Sequence, residues 1–196
     1  MEQAIVEQFS SLLNDRLSFC VNTTEDSVRY TFFASILYSG VWHPHEMILE
    51  FTHPEIQRAK VDLYIPSARF NPAEVIEIKY HRYTPSGQNS PMPQKAGQLF
   101  KDIDRLQRFN NGIEMNRTLI YVTDEEMAKY MENKSNGLYD FFHLPEGEQL
   151  RVDKDFIYGK SSTFKKSAGS NLEATIECKM SKSLDAGHSL RVYRVV

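Results

Sequence analysis

The chain has 196 residues, enough for one ordinary domain with a buried core. Its 41% apolar and 25% charged residues exclude disordered and fibrous classes, and a formal net charge of -3 excludes a uniformly basic nucleic-acid glove. Cys20 and Cys178, far apart, read as reduced thiols. The Met1-Glu2-Gln3-Ala4 start has neither the basic nor the apolar region of a signal peptide, and no run approaches the roughly 18 apolar residues of a membrane span. A cytoplasmic location is expected, with no membrane partner.

Residues 2–17 carry Ile5, Phe9, Leu12 and Leu13 at helical spacing. A second helix begins at the N-cap candidate Thr24, has Glu25 and Asp26 in its first turn, and ends at Gly40. Three strand-like runs follow, Met47–Phe51, Lys60–Ile65 and Glu74–Tyr80. A polar loop with Pro85, Gly87, Pro91 and Pro93 leads to a helix over 94–110, closed by Gly112. Thr118–Val122 reads as a buried strand, and Asp124 caps a helix with Met127, Tyr130 and Met131. Residues 159–171, rich in Gly, Ser and Lys, read as a surface loop, and Leu172–Lys179 and Ser189–Val195 as strands of a possible hairpin. The expectation is a single α/β domain over 1–196, with an N-terminal helix 2–17, a core about 24–135 and a β extension about 146–196. A mixed sheet covered by helices is the fold class.

Two strands hold charges where buried strands should be apolar. Alternation puts Val61, Leu63 and Ile65 on one face, and Asp62 on the other with Tyr64. Glu77 and Lys79 share a face with Val75, opposite Ile76 and Ile78. Two carboxylates and a lysine on consecutive strands imply either an internal ion network or a metal site, because desolvating an ion costs several kcal/mol. Hard divalent cations prefer such oxygen ligands, and a lysine beside them can orient a water or stabilise charge on a phosphate.

Val61-Asp62 followed by Glu77-Ile78-Lys79 resembles the PD-(D/E)xK nuclease superfamily, over roughly residues 24–123. Val61 stands where that pattern has proline. The resemblance implies a restriction-endonuclease-like αβββαβ core, with Asp62, Glu77 and Lys79 as the catalytic set. It implies Mg²⁺, with Mn²⁺ as substitute, held by Asp62 and Glu77, and makes Glu25 on the preceding helix a further ligand. Glu50 is an additional possible ligand. Gln98 and Lys101 on the following helix, and Arg82, are candidates for contacting substrate. The implied activity is phosphodiester hydrolysis, with DNA as the expected partner, in restriction, phage defence or repair, and with a second copy or partner protein possible. The alternative is a nuclease fold that serves as a non-catalytic binding or regulatory module.

Other signals are weaker. Glu177-Cys178-Lys179 repeats the Glu-x-Lys pattern, but no helix follows, and it reads as exterior strand charge. His43 and His45 lack partner ligands. The basic stretch from Lys79 to Arg117 suits a phosphate face, although Arg105 and Arg108 fit equally a solvated helix with Asp/Arg pairs.

Overall fold

A computed structural model describes residues 2–67, 72–83, 90–169 and 172–196. Helices α1 (Gln3–Ser18) and α2 (Glu25–Ser39) come first, followed by strands β1 (Ile48–Thr52), β2 (Lys60–Ile65) and β3 (Ala73–His81). Helix α3 (Met92–Arg108), strand β4 (Met115–Thr123) and helix α4 (Glu125–Glu132) come next. The remainder is α5 (Tyr139–Phe142), β5 (Gln149–Val152), α6 (Lys154–Tyr158), α7 (Ser162–Ala168), β6 (Ala174–Ser183) and β7 (Ser189–Val195).

Among the described residues, seven strands form one mixed sheet in the order β1-β2-β3-β4-β7-β6-β5. Strands β3 and β4 are parallel, joined through α3, and the other neighbours are antiparallel. The protein is therefore α/β, with a mixed sheet covered by helices on both faces. Ile76, Ile78, Ile120 and Val122 pack under α1 and α2. Val75, Leu119 and Tyr121 pack under α3 and the later helices. The C-terminal hairpin is integral to this sheet, because β7 pairs along β4 from Arg117↔Val195 to Thr123↔Ser189.

Local chemistry explains the boundaries. Thr24 Oγ1 accepts from the Ser27 amide at 3.1 Å and starts α2, and Gly40 ends it at φ +66°. Asp124 caps α4 through the Met127 amide at 2.9 Å. Helix α3 begins earlier than expected, at Met92, with Pro93 in its first turn, where a missing N–H costs nothing. It also stops at Arg108, before Gly112. Pro85 and Gly87 lie outside the described residues.

The expected loop at 159–171 is corrected, because Ser162–Ala168 is helical. Ser161 caps it, and its apolar residues Phe164 and Ala168, four apart, are buried against α3. That burial is possible because α3 offers Gly97, where a Cβ would stand 2.5 Å from the Phe164 carbonyl oxygen. Strand β5 and helices α5 and α6 were not anticipated, being too short to show a period. Among the described residues, no helix is long and apolar enough to cross a membrane.

Candidate active site

The charged cluster forms where β2 leaves β3. Their ladder runs from Ile65↔Glu74 to Leu63↔Ile76. Beyond Leu63, towards Lys60, β2 pairs with β1 alone. Strand β3 continues to His81, so its amides on that side need other acceptors. Asp62 Oδ2 accepts from the Ile78 amide at 2.7 Å, and Glu25 Oε2 accepts from the Tyr80 amide at 3.3 Å. Two carboxylates thus replace the missing strand.

The expected alternation in β2 fails at this point. Leu63 and Ile65 face α1 and α2, but Val61 joins Tyr64 on the α3 side. The neighbouring β1 is distorted here too: Glu50 has φ +51°, a left-handed backbone conformation uncommon for a non-glycine residue. The irregularity leaves Asp62 in the gap between strands rather than squarely on one face.

Four carboxylates and three cations meet around the gap. Arg29 on α2 bonds Asp62 Oδ1 at 2.9 Å and Glu25 at 3.0 Å. Lys79 Nζ lies 3.1 Å from Glu25 Oε2 and 4.0 Å from Asp102 on α3. Arg105 on α3 lies 2.7 Å from Glu77 and 2.8 Å from Asp102. With all four carboxylates ionised, as a bound cation would require, Glu25, Asp62, Glu77 and Asp102 against Arg29, Lys79 and Arg105 give the cluster one negative charge in excess.

Burial decides how these groups titrate. Glu77 is 3% exposed, and desolvation holds its carboxyl well above the usual range, against Arg105 and with help from the charges of Asp62 and Asp102. Desolvation also raises Asp62, opposed by the Ile78 amide and Arg29, and raises Asp102, opposed by Arg105 and Lys79. For Lys79, burial pulls downward, but the carboxylates of Asp102 and Glu25 outweigh it and keep the ammonium charged. Deeper along β3, His81 is pushed down to about 3 by burial, with Lys79 and Lys95 adding repulsion.

The structure brings Glu25, Asp62, Glu77 and Lys79 into this one network. Glu50 stands apart, exposed, with Lys60 at 3.9 Å. Gln98 and Lys101 are exposed on α3, each one helical turn before Asp102 or Arg105. Arg82 donates to Asn22 at 2.9 Å, just past the end of β3. In the second Glu-x-Lys, Lys179 pairs with Glu177 on β6, away from this cluster.

Sequence reading passed over Arg29 and gave Asp102 no role at the site. It read Arg105 only as part of a basic phosphate face or of a solvated helix with Asp/Arg pairs, whereas it pairs with both Asp102 and Glu77. Arg29 carries a usable signal, standing four residues after Glu25 on one helix. Asp102 interrupts the stripe of Leu99, Ile103 and Leu106, and a charge beside an apolar stripe marks a buried partner.

Among the described residues, no three His, Cys, Asp or Glu side chains converge as a ready ligand set. The carboxylates are hard oxygen donors of the kind Mg²⁺ accepts. Their fit to a cation rests on Glu77. Its buried Oε1 and the Nε of Arg105 are 2.7 Å apart, yet neither has an aligned hydrogen bond. The arginine neutralises this carboxylate without satisfying it.

Comparison of the chain with protein-family models, with curated proteins and with solved structures finds no match in any of the three.

Proposed function

We propose that the protein is a metal-dependent nuclease with a restriction-endonuclease-like core, hydrolysing phosphodiester bonds of DNA. The observation that carries this is the meeting of Asp62, Glu77 and Lys79, with Glu25, at the place where β2 parts from β3. Asp62 and Glu77 would hold Mg²⁺ or Mn²⁺. When bound, the cation lowers the pKa of a coordinated water and neutralises phosphate charge. Lys79 is held by Glu25, so its ammonium is fixed in position to orient the attacking water or meet charge developing on the phosphate. Gln98, Lys101 and Arg82 would contact the nucleic-acid strand. The setting we favour is cytoplasmic restriction, phage defence or repair, with a second copy or another protein contributing sequence selectivity.

The test is incubation of the purified protein with supercoiled plasmid, linear duplex and single strands, with Mg²⁺ or Mn²⁺, beside Asp62→Ala. Metal-dependent cleavage that Asp62→Ala lacks is expected. Cleavage of none of the three substrates, or equal cleavage by the variant, would overturn the assignment.

One observation favours a second reading, a non-catalytic binding module. Each carboxylate of the cluster already has an arginine or lysine partner, so the network can stand as a structural bridge between α2 and α3. Such a module would show no Asp62-dependent Mn²⁺ binding by calorimetry.

A further inference from the structure

Arg29 and Arg105 approach the gap from opposite sides of the sheet, one on α2 and one on α3. Each is tied to its own helix by a second acid. Arg29 has Glu25 at 3.0 Å, four residues earlier, and Arg105 has Asp102 at 2.8 Å, three residues earlier. Each then reaches one of the two carboxylates assigned to the cation, Arg29 to Asp62 and Arg105 to Glu77. Neither is sealed in, because both side chains keep about a quarter of their exposure, 25% and 26%, whereas those of Asp62 and Glu77 keep 8% and 5%. The Nε of Arg29 is buried without a hydrogen-bond acceptor, and that of Arg105 faces Glu77 Oε1 at 2.7 Å without an aligned hydrogen bond. These are cations held near acids but incompletely bonded to them, each with a tether that survives if the acid is lost.

We propose that Arg29 and Arg105 are electrostatic place-holders, which neutralise Asp62 and Glu77 in the metal-free protein and pass to a DNA phosphate when a divalent cation takes those carboxylates. The proposal rests on the nuclease reading above and adds two phosphate-binding residues to it. The physical reason is charge balance. A divalent cation brings two positive charges to a cluster with one negative charge in excess, leaving one positive charge over. A phosphodiester supplies the matching negative charge. Guanidinium forks suit phosphate oxygens, and the tethers to Glu25 and Asp102 keep both forks at the gap during the exchange. Metal and DNA should therefore bind with positive coupling, each favouring the state the other needs.

The experiment is calorimetric titration of Mn²⁺ into wild type, Arg105→Gln, Arg29→Gln and Arg108→Gln. Arg108 is the control, one turn along α3, half exposed and paired with Asp104 rather than with the cluster. Removing either place-holder removes a competitor, so Arg105→Gln and Arg29→Gln should bind Mn²⁺ roughly tenfold more tightly than wild type, while Arg108→Gln changes little. Anisotropy with a short phosphorothioate duplex gives the second readout. Mn²⁺ should strengthen duplex binding by wild type, and much less by either place-holder variant. If both variants bind Mn²⁺ no more tightly than the control, while wild type keeps Asp62-dependent binding, the place-holder role is overturned and the nuclease reading stands. If no variant binds Mn²⁺ in an Asp62-dependent way, both fall. The two arginines reach different carboxylates from different helices, so either variant tests the idea should the other not fold.

Discussion

The carboxylate of Asp62 accepts the Ile78 amide hydrogen at 2.7 Å, standing in for a strand that has turned away. The same side chain bonds Arg29 at 2.9 Å. Asp62 therefore serves the sheet as well as the proposed chemistry, and its substitutions separate the two roles. An asparagine keeps an oxygen for Ile78, and Arg29 keeps Glu25. Desolvation already penalises the Asp62 charge. Asp62→Asn should change metal-free stability by less than about 1 kcal/mol, whereas Asp62→Ala should cost about 1–3 kcal/mol by orphaning a buried amide. Mn²⁺ should raise the melting temperature of wild type and of neither variant. Thermal melts with and without Mn²⁺ read both effects. A loss of several kcal/mol in metal-free Asp62→Asn, with no Mn²⁺ shift in wild type, would favour a purely structural ion pair.

Lys79 and Asp62 should fail differently. Lys79→Ala is expected to abolish plasmid cleavage while retaining Mn²⁺ binding, because the ammonium acts on water and phosphate. Asp62→Ala should lose both. Calorimetry beside a cleavage assay checks this, and equal loss of metal affinity in the two variants would contradict the division of roles.

Stability should depend on pH in two opposed ways. Glu77, Asp62 and Asp102 have folded-state pKa values raised above their ordinary ones, chiefly by burial. Their protonation favours the fold, so this contribution is present at low pH and is lost as pH rises through the raised values. His81 has the opposite sign. Its pKa falls from 6.5 to about 3, so its contribution is present above 6.5 and is lost as pH drops towards about 3. The size of that loss is on the order of 5 kcal/mol. Urea midpoints across pH should show Glu77→Gln flattening the decline as pH rises and His81→Phe flattening the decline towards acid pH. An unchanged acid limb in His81→Phe would refute its assignment to this histidine.

Gly97→Ala should destabilise without touching the charged cluster. The added Cβ would meet the Phe164 carbonyl oxygen at 2.5 Å and Ser167 Cβ at 2.6 Å, so α7 must shift from α3. A cost of about 1–3 kcal/mol is expected, measured as a lower melting temperature with Mn²⁺ affinity retained. A variant as stable as wild type would mean that α7 moves freely on α3.

The main elements were legible in the sequence because their signals are local. Thr24 and Asp124 cap helices through amides three residues away, and the apolar stripes of α1, α2 and α3 follow helical spacing. Glu77 and Lys79 stood out for a related reason, since charges in an otherwise apolar strand need a partner whatever the fold. Helix α7 was not legible, because its two apolar residues signify only when Gly97 lies opposite them. Nor was the break in β2: alternation assumes a regular strand, and the distortion beside Glu50 moved Val61 to the other face and Asp62 into the gap. The sequence by itself thus determined that Asp62, Glu77 and Lys79 need partners, since their desolvation follows from the apolar residues around them in their strands. Tertiary structure alone decided their partners. Arg29 and Arg105 lie far apart in sequence on helices covering opposite faces, and the parting of β2 from β3 lets each reach a different acid of one cluster, Arg29 to Asp62 and Arg105 to Glu77.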